Sequence, residues 1–122
     1  MLYKAAHPQK LTLQRLDILD AKGTVRVTLA SPAPPPTRFG KPERRDGDVS
    51  GVLLFDSTGT ERGGYVTSDG DEENALLTLD AQGKQTVLLL AEPKGSTLFR
   101  LWHRQNGSVT MGSGETGLFL NV

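Results

Sequence analysis

Apolar residues in this chain recur in short runs, each closed by a small polar turn, and no stretch sustains the three-to-four residue spacing of a helix. Leu16-Asp-Ile-Leu19, Val52-Leu-Leu-Phe55, Leu76-Leu-Thr-Leu79 and Arg100-Leu-Trp-His103 each lead into a turn. Val25-Arg-Val-Thr-Leu29, Glu61-Arg-Gly-Gly-Tyr65, Gln85-Thr-Val-Leu-Leu89 and Val109-Thr-Met-Gly-Ser113 lead out. Alternation is clearest after the first turn, where Val25, Val27 and Leu29 face one way and Arg26, Thr28 and Ala30 the other, as in a half-buried strand. Residues 52–55 and 87–90 are apolar at successive positions, the pattern of a strand covered on both faces. Leaving Leu54, Leu88 and Leu90 in water would make one contiguous apolar patch, so self-association as a small symmetric homo-oligomer is expected.

The turns repeat. Asp20-Ala-Lys-Gly23, Asp56-Ser-Thr-Gly59, Asp80-Ala-Gln-Gly83 and, with Arg for Asp, Arg104-Gln-Asn-Gly107 share one form, and Asp56, Asp80 and Arg104 follow one another at 24 residues. Asp opening such a turn bonds forward to the backbone, and Gly at its fourth position tolerates positive φ. The expected architecture is all-β: four antiparallel hairpin repeats of about 24 residues plus a C-terminal strand, Gly117-Leu-Phe-Leu-Asn-Val122. A barrel-like or propeller-like array closes them around one core. An open hairpin stack and a two-sheet sandwich are the alternatives. Residues 1–122 read as a single domain, interrupted at 31–50 by an insert that holds five of the seven prolines and is expected to be a dispensable surface loop.

The unit resembles small, uncharacterised bacterial β-hairpin-repeat proteins built on D-x-x-G-x-x-R. Leu16-Asp-Ile-Leu-Asp-Ala-Lys-Gly-Thr-Val-Arg26 and Leu53-Leu-Phe-Asp-Ser-Thr-Gly-Thr-Glu-Arg-Gly-Gly64 carry the resemblance, while Thr86 and Thr110 stand where the arginines do. The resemblance implies a bacterial β-repeat module and no activity.

Composition narrows the chemistry. The chain has no cysteine, which removes disulfides, thiolate metal sites and a Cys nucleophile. Fourteen basic and fourteen acidic residues leave no net charge to attract nucleic acid. No run reaches signal-peptide or membrane-span length, so a soluble chain is expected, cytoplasmic or exported with an upstream segment removed.

Few residues offer a site. Asp69, Asp71 and Glu73, in the acidic linker, are the candidate ligands for a calcium ion, although the spacing departs from an EF-hand loop. Phe39, Arg44 and Arg45 in the Pro-rich loop, and Trp102, opposite in phase to Phe99 and Leu101, are candidate contacts for a protein partner; Trp102 also suits a carbohydrate. His103 aligns with Leu19, Phe55 and Leu79 and is expected to pack in the sheet, and His7 to be exposed. With Ser108 and Asp80 out of any triad spacing, a hydrolase is the weakest reading. A non-catalytic module for self-assembly or protein binding leads. A small-ligand barrel follows, with Gly63-Gly64 the one hint of a cavity.

Overall fold

The computed structural model describes residues 9–122, so His7 lies outside the described residues. All regular structure there is β, in eleven strands: β1 (Arg15–Leu19), β2 (Val25–Ala30), β3 (Thr37–Arg38), β4 (Lys41–Pro42), β5 (Val49–Phe55), β6 (Glu61–Ser68), β7 (Ala75–Ala81), β8 (Lys84–Ala91), β9 (Thr97–Trp102), β10 (Ser108–Gly114) and β11 (Gly117–Asn121). Nine of them make one antiparallel sheet in the order β1-β2-β5-β6-β7-β8-β9-β10-β11, and β3 and β4 pair as a small separate ribbon.

The sheet is open, which corrects the expected barrel or propeller. Short connections place nearly every strand beside its predecessor, so the chain advances in one direction, leaving β1 and β11 on opposite edges. Local turn chemistry sets that advance but contains nothing that joins the two ends. β11 pairs with β10 alone among the described residues.

Three hairpins carry a one-residue irregularity just before the turn: at Ile18/Leu19, Leu54/Phe55 and Leu79/Asp80. Gly23, Gly59, Gly83 and Gly107 all have φ near +80°, the conformation for which these turns select glycine.

The insert is not a free loop. Residues 31–48 lie as a strap on one face of β2, β5 and β6, the Ala33 N–H donating to the Val49 carbonyl at 2.7 Å. The Thr37 hydroxyl donates to the Gly59 carbonyl at 2.7 Å, and the Phe39 N–H to Thr60 Oγ1 at 2.9 Å. Beneath it sits the small buried core of Ala33, Leu53 and Phe55, with Val25, Val49 and Val66 against it. A Pro-rich sequence suits this work, since it supplies apolar surface without demanding ladder hydrogen bonds.

The Gly63-Gly64 pair leaves no cavity. A Cβ at Gly63 would lie 2.2 Å from the Thr78 carbonyl oxygen, and one at Gly64 2.7 Å from that of Val52 and 3.1 Å from Leu53 Cδ2. These glycines let neighbouring strands and the Leu53 side chain close in.

Candidate interaction face

Cross-strand partners share a face, so the pairing register sorts every strand residue to one side of the sheet or the other. One row runs Leu16, Leu29, Val52, Tyr65, Leu77, Leu89, Phe99, Met111, Leu120 across all nine strands. The row beside it runs Ile18, Val27, Leu54, Gly63, Leu79, Val87, Leu101, Val109. Neither row contains a charged residue. A third row, towards the opposite strand ends, holds small or uncharged residues such as Ser50, Thr67, Ala75, Ala91, Thr97 and Ser113.

Nothing in the described chain covers this face. Leu53 on the strapped side is 2% exposed and its neighbour Leu54, on the open side, 42%. Tyr65, Leu79, Leu89, Met111 and Leu120 are likewise exposed. Where small residues interrupt the large ones, Tyr65, Leu77, Leu89, Phe99, Met111 and Leu118 help line a groove of about 800 Å³.

Leu54, Leu88 and Leu90 do not form one patch as expected. Leu54 belongs to the open face, whereas Leu88 and Leu90 pair with Thr78 and Leu76 on the strapped side and are half-buried. Leu89 is the open-face residue of that run.

The strapped face is mixed, with an apolar row of Ala30, Val66, Leu76, Leu90, Leu98 and Phe119 beside a more polar central one. Its central row passes through Asp17, Thr28, Leu53, Gly64, Thr78, Leu88, Arg100, Thr110 and Asn121. Trp102 lies on this side, with the Arg100 guanidinium 5.4 Å from its ring centre, and Arg100 Nε donates to Thr110 Oγ1 at 2.7 Å.

Of the loop residues proposed for a partner, Phe39 and Arg44 are exposed. Arg45 is mostly buried and paired with Glu61, its Nη2 at 2.9 Å from Oε1 and 3.2 Å from the Pro34 carbonyl oxygen. That ion pair clamps the strap to β6. Beside it Asp80 borders a small polar hollow of about 150 Å³ shared with Thr37, Arg38, Thr60, Glu61 and Lys84. Burial, with the Glu61 carboxylate nearby, pushes Asp80 up to about 6.

Asp80 aligns with Asp20 and Asp56 in the sequence, but it behaves differently. Asp20 Oδ1 accepts from the Lys22 and Thr24 N–H groups at 2.9 and 3.0 Å, and Asp56 Oδ1 from those of Thr58 and Thr60 at 2.9 and 3.3 Å. Asp80 pairs with Gln85 as a strand residue, so its carboxyl is carried away from the turn and Oδ1 has no partner. His103 takes the turn-opening role in the last hairpin: its N–H donates to the Gly107 carbonyl at 3.0 Å and its Nδ1 accepts from the Gln105 N–H at 3.3 Å. It is exposed, which corrects its expected place within the sheet, because Trp102 fills the column that begins with Leu19 and Phe55.

In the acidic linker, Asp69 accepts from Ser50 Oγ at 3.0 Å, Glu73 has a φ of 50°, and Asp71 is exposed. Among the described residues no three Asp, Glu, His or Cys side chains converge as a metal site.

Neither a protein-family model, nor a curated protein, nor a solved structure matches the chain. No helix among the described residues is long and apolar enough to cross a membrane.

The open face is not legible strand by strand, because no single strand carries the register that aligns it with its neighbours. Counting back from the turns finds only part of it: Leu16 and Val52 stand equally far before Asp20 and Asp56 and share a row, but the same step from Asp80 and Arg104 reaches Leu76 and Arg100 on the strapped face.

Proposed function

We propose that this chain is a non-catalytic β-repeat assembly module whose open face binds a second copy of itself. The observation that carries the reading is the pair of charge-free apolar rows, one crossing all nine strands and the other eight. Nine strands at ~4.8 Å and three side-chain rows at ~7 Å give a face of roughly 40 by 20 Å, or about 800 Å². The whole face equals the ~800 Å² each partner gives to a standard interface, and its two apolar rows alone, about 550 Å², stand at the upper end of the ~300–600 Å² patch of an ordinary monomer. With no charge to select a different surface, the simplest complement is the same face turned over, making a two-sheet sandwich between copies.

Stitching between hairpins supports a repeat reading. Arg26 Nε donates to the Phe55 carbonyl at 3.0 Å, Arg62 Nε to that of Asp80 at 2.6 Å, and Lys84 Nζ to those of His103 and Arg104 at 3.2 and 2.7 Å. In the first two, the same guanidinium also pairs with the aspartate of its own turn, Asp20 at 3.5 Å and Asp56 at 3.4 Å. In the first two units the D-x-x-G-x-x-R pattern thus ties one hairpin to the next, Lys84 does the same for the third, and the face stays continuous.

The test is Leu89→Lys, which places a charge at the centre of the open face on a side chain already 43% exposed. The variant should keep its far-ultraviolet spectrum and melting transition at low concentration while its solution mass falls towards one chain. An unchanged oligomer would sink the face-to-face reading. The groove supports a second reading, a small apolar ligand. Saturable calorimetric binding of a medium-chain alkyl probe by a strictly monomeric chain would favour it.

A further inference from the structure

The two edges of the sheet are not alike. β1 carries the Arg15–Asp17 ion pair at 3.0 Å, and Asp17 accepts from Thr28 Oγ1 at 2.8 Å, so two charged side chains stand on its strapped face. Its ladder with β2 is also broken by the irregularity at Ile18/Leu19. Charge on an edge strand and a bulge both discourage further strand pairing. β11 has neither. Gly117-Leu-Phe-Leu-Asn121 pairs with β10 without interruption, from Thr110↔Asn121 to Gly114↔Gly117, and all five residues are exposed. The Phe119 ring lies over Gly112, which fixes the side each residue faces: Phe119 towards the strapped side, Leu118 and Leu120 towards the open one.

We propose that β11 is a second, homotypic interface, pairing antiparallel with β11 of another copy about a two-fold axis at Phe119. An isologous contact needs one surface that complements itself, and an uncharged, regular strand meets that requirement. Centred on Phe119, the pairing sets Leu118 opposite Leu120 of the second copy, both on the open face. The apolar surface then continues across the junction. Pairing with β1 of another copy would instead build an open-ended filament, and the charges of β1 oppose it. The edge is separate from the face-to-face contact proposed above, and the two are tested apart.

Because the chain has no cysteine, single-cysteine variants report contacts between copies without background. Opposed residues of an antiparallel pair have Cα atoms ~4.5–5.5 Å apart, within disulfide reach. Under mild oxidation Phe119→Cys should form a cross-linked dimer roughly tenfold faster than Leu16→Cys on the β1 edge. A mixture of Leu118→Cys and Leu120→Cys should cross-link faster than Leu118→Cys alone. The Phe119→Cys cross-link should persist when Leu89→Lys is added, even as that substitution removes the face contact. Equal rates at positions 119 and 16, rapid cross-linking of a Phe119→Cys and Leu16→Cys mixture, or loss of the 119 cross-link with Leu89→Lys would each overturn the edge proposal. The unmodified chain provides a check free of folding artefacts. Exchange protection of the 118–120 amides should rise with protein concentration, and protection independent of concentration would also overturn it.

Discussion

Three aspartates occupy the same place in three strand–turn–strand sequences, and their environments drive them in opposite directions. Backbone hydrogen bonds, from Thr24 above all, hold Asp20 below the ordinary carboxylate value, and the Gln82 amide with the Thr58 hydroxyl does so for Asp56. Asp17 is lowered by Arg15 and Thr28. For these groups the folded value lies under the unfolded one, so their stabilisation is present above about pH 4 and is lost as the pH falls through the folded values. Asp80 has the reverse sign. Its folded value of about 6 lies above 3.8, so the folded chain holds a proton that the unfolded chain has released, and stability declines as the pH rises through about 6. Stability should therefore be highest near pH 4, fall between about pH 4 and 6, and level off above that. Asp80→Asn should abolish the decline on the alkaline side. Because Asp80 is only partly screened from water, the gain near neutrality is about 1 kcal/mol, less than the ~3 that the whole shift would give. Urea midpoints near pH 4 and pH 7.5 measure it, and equal declines in variant and parent would contradict the assignment.

The turn glycines make a second prediction at this scale. Gly23 and Gly59 share a positive φ, but a Cβ at Gly23 meets nothing within 4 Å, whereas one at Gly59 comes 3.0 Å from Gly40 N. Gly23→Ala should cost about 1–2 kcal/mol from the left-handed backbone alone, and Gly59→Ala measurably more. Equal costs in chemical denaturation would show that the strap does not bear on the second turn. The D-x-x-G turns were legible in the sequence because aspartate, glycine and backbone satisfy one another within five residues. The fate of Asp80 was not, since it depends on the pairing of β7 with β8 and on a strap more than thirty residues upstream.

Among the elements, the strap changes most when sequence and structure are set side by side. Proline content excluded a helix or central strand over 31–50, and only the two-residue β3 and β4 and the start of β5 occur there. Periodicity could not show that Ala33 would close the core over Leu53 and Phe55, because a segment without regular spacing carries no record of the face it touches. Arg45→Ala should cost about 2 kcal/mol, since it leaves the half-buried Glu61 without its cation. Shortening 31–48 to the length of the other connections should abolish cooperative melting. A sharp transition in the shortened chain would return the segment to the status of a dispensable loop. The stitching cations are exposed by comparison, and Arg62→Ala should cost about 1 kcal/mol.

For the whole molecule, strand content and antiparallel hairpins were readable from alternation and turn spacing, whereas openness was not. Closure depends on how far twist and curl accumulate over nine strands, and no local pattern encodes that sum. The two-sided runs at 52–55 and 87–90 read as strands covered on both faces, but within the described chain Leu53 and Phe55 are covered while Leu54 and Leu89 stay exposed. Register then divided that surface, giving the strap part of one face and leaving the other open. The central claim is that this open face is completed by another copy of the chain. Light scattering of the unmodified full chain, followed from low micromolar to near-millimolar concentration, tests it most directly. The account predicts a mass of at least twice the 13.2 kDa chain, falling towards one chain on dilution. A single-chain mass at the highest concentration would contradict it.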